Sequence, residues 1–140
     1  MLTLQFEQIE TVKLPLIKRF YKLHYSTAKP KSDELTIAAY QQGEIKAVVR
    51  FRSIAQYRLL TGMAVASDLR GQGIGQQLLI YCQQNIMKHL DYCFAYTHLT
   101  SFYNKGNFYA LKPEQLPTEL QALLQRYQSN GKNLIPMQYI

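Results

Sequence analysis

A chain of 140 residues is the size of one domain and long enough to bury a core. No apolar run approaches the ~20 residues of a membrane-spanning helix, and Met1 to Glu7 lacks a basic segment followed by an apolar one, so neither a membrane span nor a secretory signal is expected. Sixteen basic against nine acidic side chains give a formal charge of +7, which suits an anionic partner without choosing among nucleic acid, an anionic surface and a small ligand.

Leu2 to Phe6 alternates apolar and polar residues and reads as a first strand. A helix follows over Leu14 to Tyr25, with Pro15 in its first turn. Leu16, Phe20 and Leu23 recur at helical spacing, with Ile17 and Tyr21 beside them. Ser26 to Ser32 is a polar loop in which Lys29-Pro30-Lys31 resists helix. Leu35 to Tyr40 and Ile45 to Phe51 form a hairpin across Gln41-Gln42-Gly43-Glu44. In its second strand Ile45, Ala47, Val49 and Phe51 point one way, into a core. Lys46, Val48, Arg50 and Arg52 point the other way as a basic stripe, which Arg58 extends.

Tyr57 to Ala66 is a strand that runs into a basic, glycine-rich turn. Ile74, Leu78, Cys82, Ile86 and Leu90, with Leu79 alongside, then give a helix with a buried stripe and with Lys88 and His89 in its last turn. Tyr92 to Tyr96 reads as a buried strand, and a right-handed crossover makes it parallel to the strand before the turn. Thr100 to Lys105 is a short helix ended by Gly106, and Phe108 to Leu111 is a further strand. After a loop punctuated by Pro113 and Pro117, Leu120, Leu123, Leu124 and Tyr127 mark another helix, closed by Asn130-Gly131. Leu134 to Ile140 is a last strand, with Pro136 suiting an edge or a bulge. Without repeats or linkers, residues 1–140 are expected to form a single domain. Cys82 and Cys93 match no metal spacing, so no metal is expected, and as reduced thiols they point to the cytoplasm.

The chemistry concentrates in Arg70-Gly71-Gln72-Gly73-Ile74-Gly75. Glycines let backbone approach a ligand, and N–H groups at a helix start cradle an anion. Arg70 adds a fork suited to phosphate oxygens. A P-loop needs a Lys-Ser or Lys-Thr pair after its last glycine, but Gln76-Gln77 follows Gly75. The dinucleotide fingerprint needs its third glycine at Gln76. The third pattern fits. Met63-x-Val65 followed by Arg70 to Gly75 resembles the acetyl-CoA signature of the GNAT superfamily of N-acyltransferases. Ser101-Phe102-Tyr103-Asn104-Lys105-Gly106-Asn107-Phe108 is similar to that superfamily's C-terminal aromatic block, with Asn107 inserted.

The resemblance implies an α/β (α+β) fold: a mixed, mostly antiparallel central sheet with helices on both faces and a parallel pair that splays at the cofactor site. It implies acetyl-CoA as acyl donor and a small-molecule or protein amine as acceptor. Met63, Ala64 and Val65 would lie along the pantetheine arm, with Val65 offering an N–H to the carbonyl oxygen. Arg70, Gly71, Gln72, Gly73, Ile74, Gly75 and Gln76 would hold the pyrophosphate, and Phe102 would be a packing residue of the cofactor site. Tyr103 would be the catalytic acid, its hydroxyl protonated at neutral pH and able to protonate a departing thiolate. An asparagine common in the superfamily is replaced by Tyr96 or Thr97, and the strand before the turn carries no carboxylate to serve as base. The family's two helices between its first two strands are represented by one helix and a loop.

His24 and His98 read as structural, and Asp68 reads as a cap or loop bond. The basic stripe suggests an acceptor carrying a carboxylate or phosphate, with Tyr25 and Arg52 as substrate-side residues. The alternative function is a CoA-binding regulatory module that has lost catalysis. Scattered basic residues and the lack of an RNA-binding aromatic signature argue against nucleic acid, and the last strand leaves a homodimer open.

Overall fold

The computed structural model describes residues 3–26 and 28–140, so Leu2 lies outside the described residues. The chain forms two compact units, one of residues up to Arg52 with Thr61–Asn85, the other of Ser53–Leu60 with Ile86–Ile140. Seven strands hydrogen-bond in the order β1-β2-β3-β4-β5-β7-β6. They are β1 (Gln5–Gln8), β2 (Leu35–Gln41), β3 (Glu44–Ile54), β4 (Tyr57–Val65), β5 (Asp91–Tyr96), β6 (Phe108–Ala110) and β7 (Leu134–Tyr139). The helices are α1 (Leu14–His24), α2 (Ile74–Asn85), α3 (Thr100–Lys105) and α4 (Thr118–Ser129). The sheet is mostly antiparallel and its parallel pair is β4–β5, as expected for the fold class. A 3-10 turn at Thr11–Lys13 and α1 are the elements between β1 and β2, in keeping with the one-helix reading.

In the first unit both sheet faces are covered. Ile17, Phe20 and Tyr21 of α1 pack on Ala38, Val48, Ala64 and Ala66, whose short side chains let the helix approach closely. Phe6 sits opposite Ala39 and therefore shares its face, and Tyr81 of α2 stacks on Phe6 at 4.8 Å. So α2 covers the side that carries Ile37, Ala39, Ala47 and Val49, all buried. This corrects the reading of β3. Its alternation holds from Ala47 to Phe51, but a register shift opposite Ala39 and Tyr40 puts Ile45 on the α1 side, and Val48 and Arg50 are buried under α1 instead of forming an open basic stripe. A two-residue period tells which face a side chain takes, not whether a helix covers it. On α1 the expected stripe also shifts, because Leu16 and Leu23 are exposed and Ile17, Phe20 and Tyr21 carry the contact. β1 begins at Gln5, later than its alternation suggested.

In the second unit α4 lays Leu120, Leu123 and Leu124 on Leu59, Tyr92 and Leu134, with Leu116 completing the cluster. Each such side chain contributes about 1.5–3 kcal/mol on burial. The parallel register covers Arg58↔Asp91, Leu59↔Tyr92 and Leu60↔Cys93. The expected helix through Leu90 stops at Asn85, which leaves Lys88 and His89 outside it. The reason lies at the head of β5. Buried Asp91 accepts from Arg58 Nε and Nη2, both at 2.7 Å, and from the Lys88 N–H at 2.6 Å. Arg58 Nη2 also donates to the Ile86 carbonyl at 2.7 Å, so the segment 86–90 wraps an ion pair instead of adding a helical turn.

β7 lies between β5 and β6, which corrects the edge placement of Pro136. The Pro136 carbonyl accepts the Leu111 N–H at 2.9 Å, so its polar groups face the β6 side one residue beyond Ala110. The missing proline N–H therefore removes one bond at the very end of that ladder and none from β5. α3 ends at Gly106 as expected, but Gly106 has φ −90° and the left-handed residue is Asn107, at φ 66°. Asparagine tolerates that region, so the inserted residue makes the turn.

Candidate active site

Most of the residues singled out in the sequence fall in the first unit, along β4, the following turn and the start of α2. Met63 and Val65 are half-buried and Ala64 is buried. A 3-10 turn over Ser67–Leu69 leads into the glycine segment, where Gly71 and Gly73 have φ +83° and +81°. A Cβ at either would meet nothing within 4 Å, so glycine is needed there for the backbone twist and the space above is open. The first bond of α2 runs from the Gln77 N–H to the Gly73 carbonyl at 3.0 Å. The N–H groups of Ile74, Gly75 and Gln76 precede it, so the helix itself offers them no partner. They form a positive end facing an exposed turn. Gly71, Gln72, Gly73 and Gln76 are exposed, while Ile74 and Gly75 are buried.

Arg70 is exposed and uses part of its fork on the protein. Its Nη2 donates to the His24 carbonyl at 2.8 Å, and Nε reaches the Val65 carbonyl at 3.4 Å. This ties the end of α1 to the turn. His24 does the same from the other side: its Nδ1 accepts the Ser67 N–H at 3.1 Å, which leaves Nε2 to carry the ring proton in the neutral form. His24 is thus a structural histidine. Asp68 lies in the first turn of the 3-10 segment, which has no side-chain cap bond.

A feature that the sequence reading passed over lies upstream in β4. Gly62 has φ +63° in mid-strand, and the Tyr21 hydroxyl donates to its carbonyl at 2.6 Å. Arg50 Nε donates to that hydroxyl at 3.3 Å, and Nη1 donates to Glu34 Oε1 at 2.7 Å and to the Lys29 carbonyl at 3.2 Å. A lone glycine inside a strand pattern was the available signal. The charges of the expected stripe are therefore engaged: Arg50 pairs with Glu34 and Lys46 with Glu44. Burial pushes the Tyr21 phenol well above its ordinary value, against the opposing pull of Arg50. Of the substrate-side pair, Tyr25 is half-buried with its ring edge-on to Tyr21 at 6.4 Å, and Arg52 is half-buried at the end of this unit's part of β3.

Phe102 and Tyr103 belong to the second unit. Tyr103 is buried on α3, its ring edge-on to Phe102 at 5.0 Å and to Phe108 at 5.9 Å. The tight turn after it, with the Gly106 N–H on the Tyr103 carbonyl at 2.9 Å, fixes where α3 stops. Tyr96 stacks on exposed His98 at 6.0 Å. Among the described residues no group of three or more His, Cys, Asp or Glu could hold a metal, and no helix is long and apolar enough to cross a membrane.

The family model described as acetyltransferase (GNAT) domain matches residues 5–139. The chain belongs to the GNAT acetyltransferases. GNAT folds also surround it among solved structures. The N-acetylglutamate synthase from Neisseria gonorrhoeae, complexed with coenzyme A and N-acetyl-glutamate, has TM-score 0.75 at 14% identity over 98% of this chain and 35% of its own. This GNAT chain thus spans about a third of that synthase. The IAA acetyltransferase from Bacillus cereus has TM-score 0.71 at 18% identity, covering 98% and 99% of the two chains. The ribosomal-protein-S18-alanine N-acetyltransferase from Escherichia coli has TM-score 0.69 at 15% identity, covering 98% and 93%. At these identities the likeness is one of fold. No curated protein sequence matches the chain. Membership in the GNAT family makes acyl transfer the general chemistry, and it gives the glycine turn its context: strand, turn and helix stand in the order in which the sequence motif requires them.

Proposed function

We propose that the chain transfers an acetyl group from acetyl-CoA to a primary amine of a small molecule or protein, with residues 1–140 acting as one cytoplasmic domain. The observation that carries this is the turn at Gly71 and Gly73, which leaves a row of helix-start N–H groups facing open space. Backbone groups of Arg70 to Gln76 hold the diphosphate. Met63, Ala64 and Val65 line the pantetheine arm, and Phe102 packs beside the cofactor. The amine nitrogen attacks the thioester carbonyl carbon, the C–N bond forms, and the C–S bond breaks. An N–H of β4 steadies the carbonyl oxygen while it carries charge. Tyr103 gives its hydroxyl proton to the leaving thiolate, the proton lost by the amine passes to water, and Tyr103 regains a proton from water. Tyr25 and Arg52 contribute to the acceptor side.

The second reading, a CoA-binding module without turnover, draws on one observation: β4 (Tyr57–Val65) holds no carboxylate to deprotonate the amine. Free-thiol release from acetyl-CoA over a panel of amines decides between them. Turnover with at least one amine supports the transferase, and CoA binding without thiol release supports the module. Tyr103→Phe is expected to lower kcat by about 10²-fold, the lower end for loss of a general acid, with KM for acetyl-CoA within threefold. Undiminished kcat removes Tyr103 from the mechanism. Gly73→Glu, which adds a side chain at a left-handed position and a negative charge to the cradle, is expected to weaken CoA binding at least tenfold by calorimetry.

A further inference from the structure

Gly62 sits where two buried side chains converge. A Cβ there would lie 2.7 Å from Arg50 Nε, 2.8 Å from Arg50 Nη2 and 2.8 Å from the Tyr21 hydroxyl. Tyr21 is 1% exposed, Arg50 6%, and the Glu34 side chain 5%. The Arg50 guanidinium also stands 5.2 Å over the Tyr21 ring. Glu34 Oε1 accepts both Arg50 Nη1 and the Lys31 N–H, each at 2.7 Å. Burying an arginine–glutamate pair is a poor way to gain stability, because desolvation offsets much of the attraction. What the arrangement does achieve is geometric. Arg50 Nε donates to the Tyr21 hydroxyl and that hydroxyl donates to the carbonyl of Gly62, while Arg50 Nη1 is held by Glu34 and the Lys29 carbonyl.

We propose that Tyr21 and Arg50 are positioning residues that fix the peptide between Gly62 and Met63, so that the Met63 N–H is presented to the acyl oxygen of the donor thioester. This rests on the transferase reading above. A trans peptide is planar, and its N–H points opposite to its C=O. Tyr21 holds the Gly62 oxygen from one side at 2.6 Å, so the Met63 N–H is turned to the other. Glycine passes between left-handed and extended conformations at little cost, so without a restraint this plane would be free to turn. Arg50 supports the hydroxyl and at the same time anchors the loop containing Lys29 and Glu34. A lysine ammonium has no fork with which to reach all three acceptors. The raised phenol pKa keeps Tyr21 a donor throughout the neutral range.

The test uses amide NMR and kinetics on the whole chain. In wild-type protein, saturating acetyl-CoA is expected to shift the Met63 amide resonance well beyond the shift caused by CoA, since only the former carries the acyl oxygen. Equal shifts overturn the inference. Failure of wild-type protein to bind either compound overturns the transferase reading instead. Tyr21→Phe keeps the ring and removes the hydroxyl. It is expected to speed Met63 amide exchange at least tenfold in the ligand-free protein, and to lower kcat 10- to 100-fold with CoA affinity within threefold. Arg50→Lys should show the same split with a smaller loss. A Tyr21→Phe protein with unchanged Met63 exchange, or with CoA affinity lost in proportion to kcat, overturns the assignment.

Discussion

A methyl group at Gly62 and one at Gly71 meet opposite fates, although both backbones are left-handed. At Gly71 the new atom enters open space, so Gly71→Ala costs only the left-handed penalty, about 1–2 kcal/mol. At Gly62 it lies 2.7 Å from Arg50 Nε and 2.8 Å from the Tyr21 oxygen, both held by buried partners. Gly62→Ala adds an overpacking cost of about 1–3 kcal/mol to the same penalty. Urea unfolding of the two variants should therefore separate them, with Gly62→Ala the less stable. Equal losses would mean that the Tyr21–Arg50 cluster yields freely. The contrast also explains what could be read in advance. Gly71, Gly73 and Gly75 announce themselves by spacing and by Arg70, whereas Gly62 is a single letter in an apolar strand. Its reason for being glycine sits on Tyr21 and Arg50, 41 and 12 positions away, and no local pattern reports that.

At the scale of elements, α1 shows how far periodicity reaches. Two apolar stripes share Phe20: Leu16-Phe20-Leu23 and Ile17-Phe20-Tyr21. Both fit a helix, and the sequence alone favours the more hydrophobic one. The buried stripe is the second, because Tyr21 has a carbonyl and a guanidinium to meet in the interior and Leu16 and Leu23 have no such partners. Phe20→Ala should cost about 3–5 kcal/mol. Leu23→Ala, at a position 67% exposed, should stay within about 0.5 kcal/mol of wild type. Urea midpoints check both, and comparable losses would relocate the helix face. The head of β5 shows the converse case. Apolar spacing carried the expected α2 to Leu90, but buried Asp91 needs donors and draws Lys88 and Arg58 to itself. Asp91→Ala leaves Arg58 without its counter-ion and should cost about 3–5 kcal/mol. The double replacement Arg58→Met with Asp91→Leu should recover at least half of that. A double that is no better than the single would place the value of the pair in its charges.

Over the whole molecule, the β2–β3 hairpin and the parallel β4–β5 pair were legible, because a short turn and a crossover rule fix those neighbours. The place of β7 was not, since Pro136 suggests an edge or a bulge and the end of short β6 provides the tolerance. Buried acids of high pKa were not legible at all, since burial is a property of the packed molecule, and they set its response to alkali. Burial raises Tyr21 and, in the other unit, Cys93 above their ordinary values. A group whose folded pKa exceeds its unfolded one holds its proton longer when folded. Its contribution is complete below the unfolded pKa and is lost as pH rises through the folded one. With unfolded values near 8.5 for cysteine and near 10 for tyrosine, stability should begin to fall above about pH 8.5 and steepen above about pH 10. Each group adds a slope of about 1.4 kcal/mol per pH unit. Loss of lysine charge in the same range relieves part of the +7 repulsion and acts in the opposite direction, but it is spread over many exposed side chains. Urea midpoints from pH 7 to 11 measure the sum, and substitutions separate the parts. Cys93→Ala should flatten the first segment, and Tyr21→Phe should lessen the second, which Tyr40 and Tyr92, also raised by burial, share. An unchanged profile in either variant would mean that the group reaches solvent before the chain unfolds.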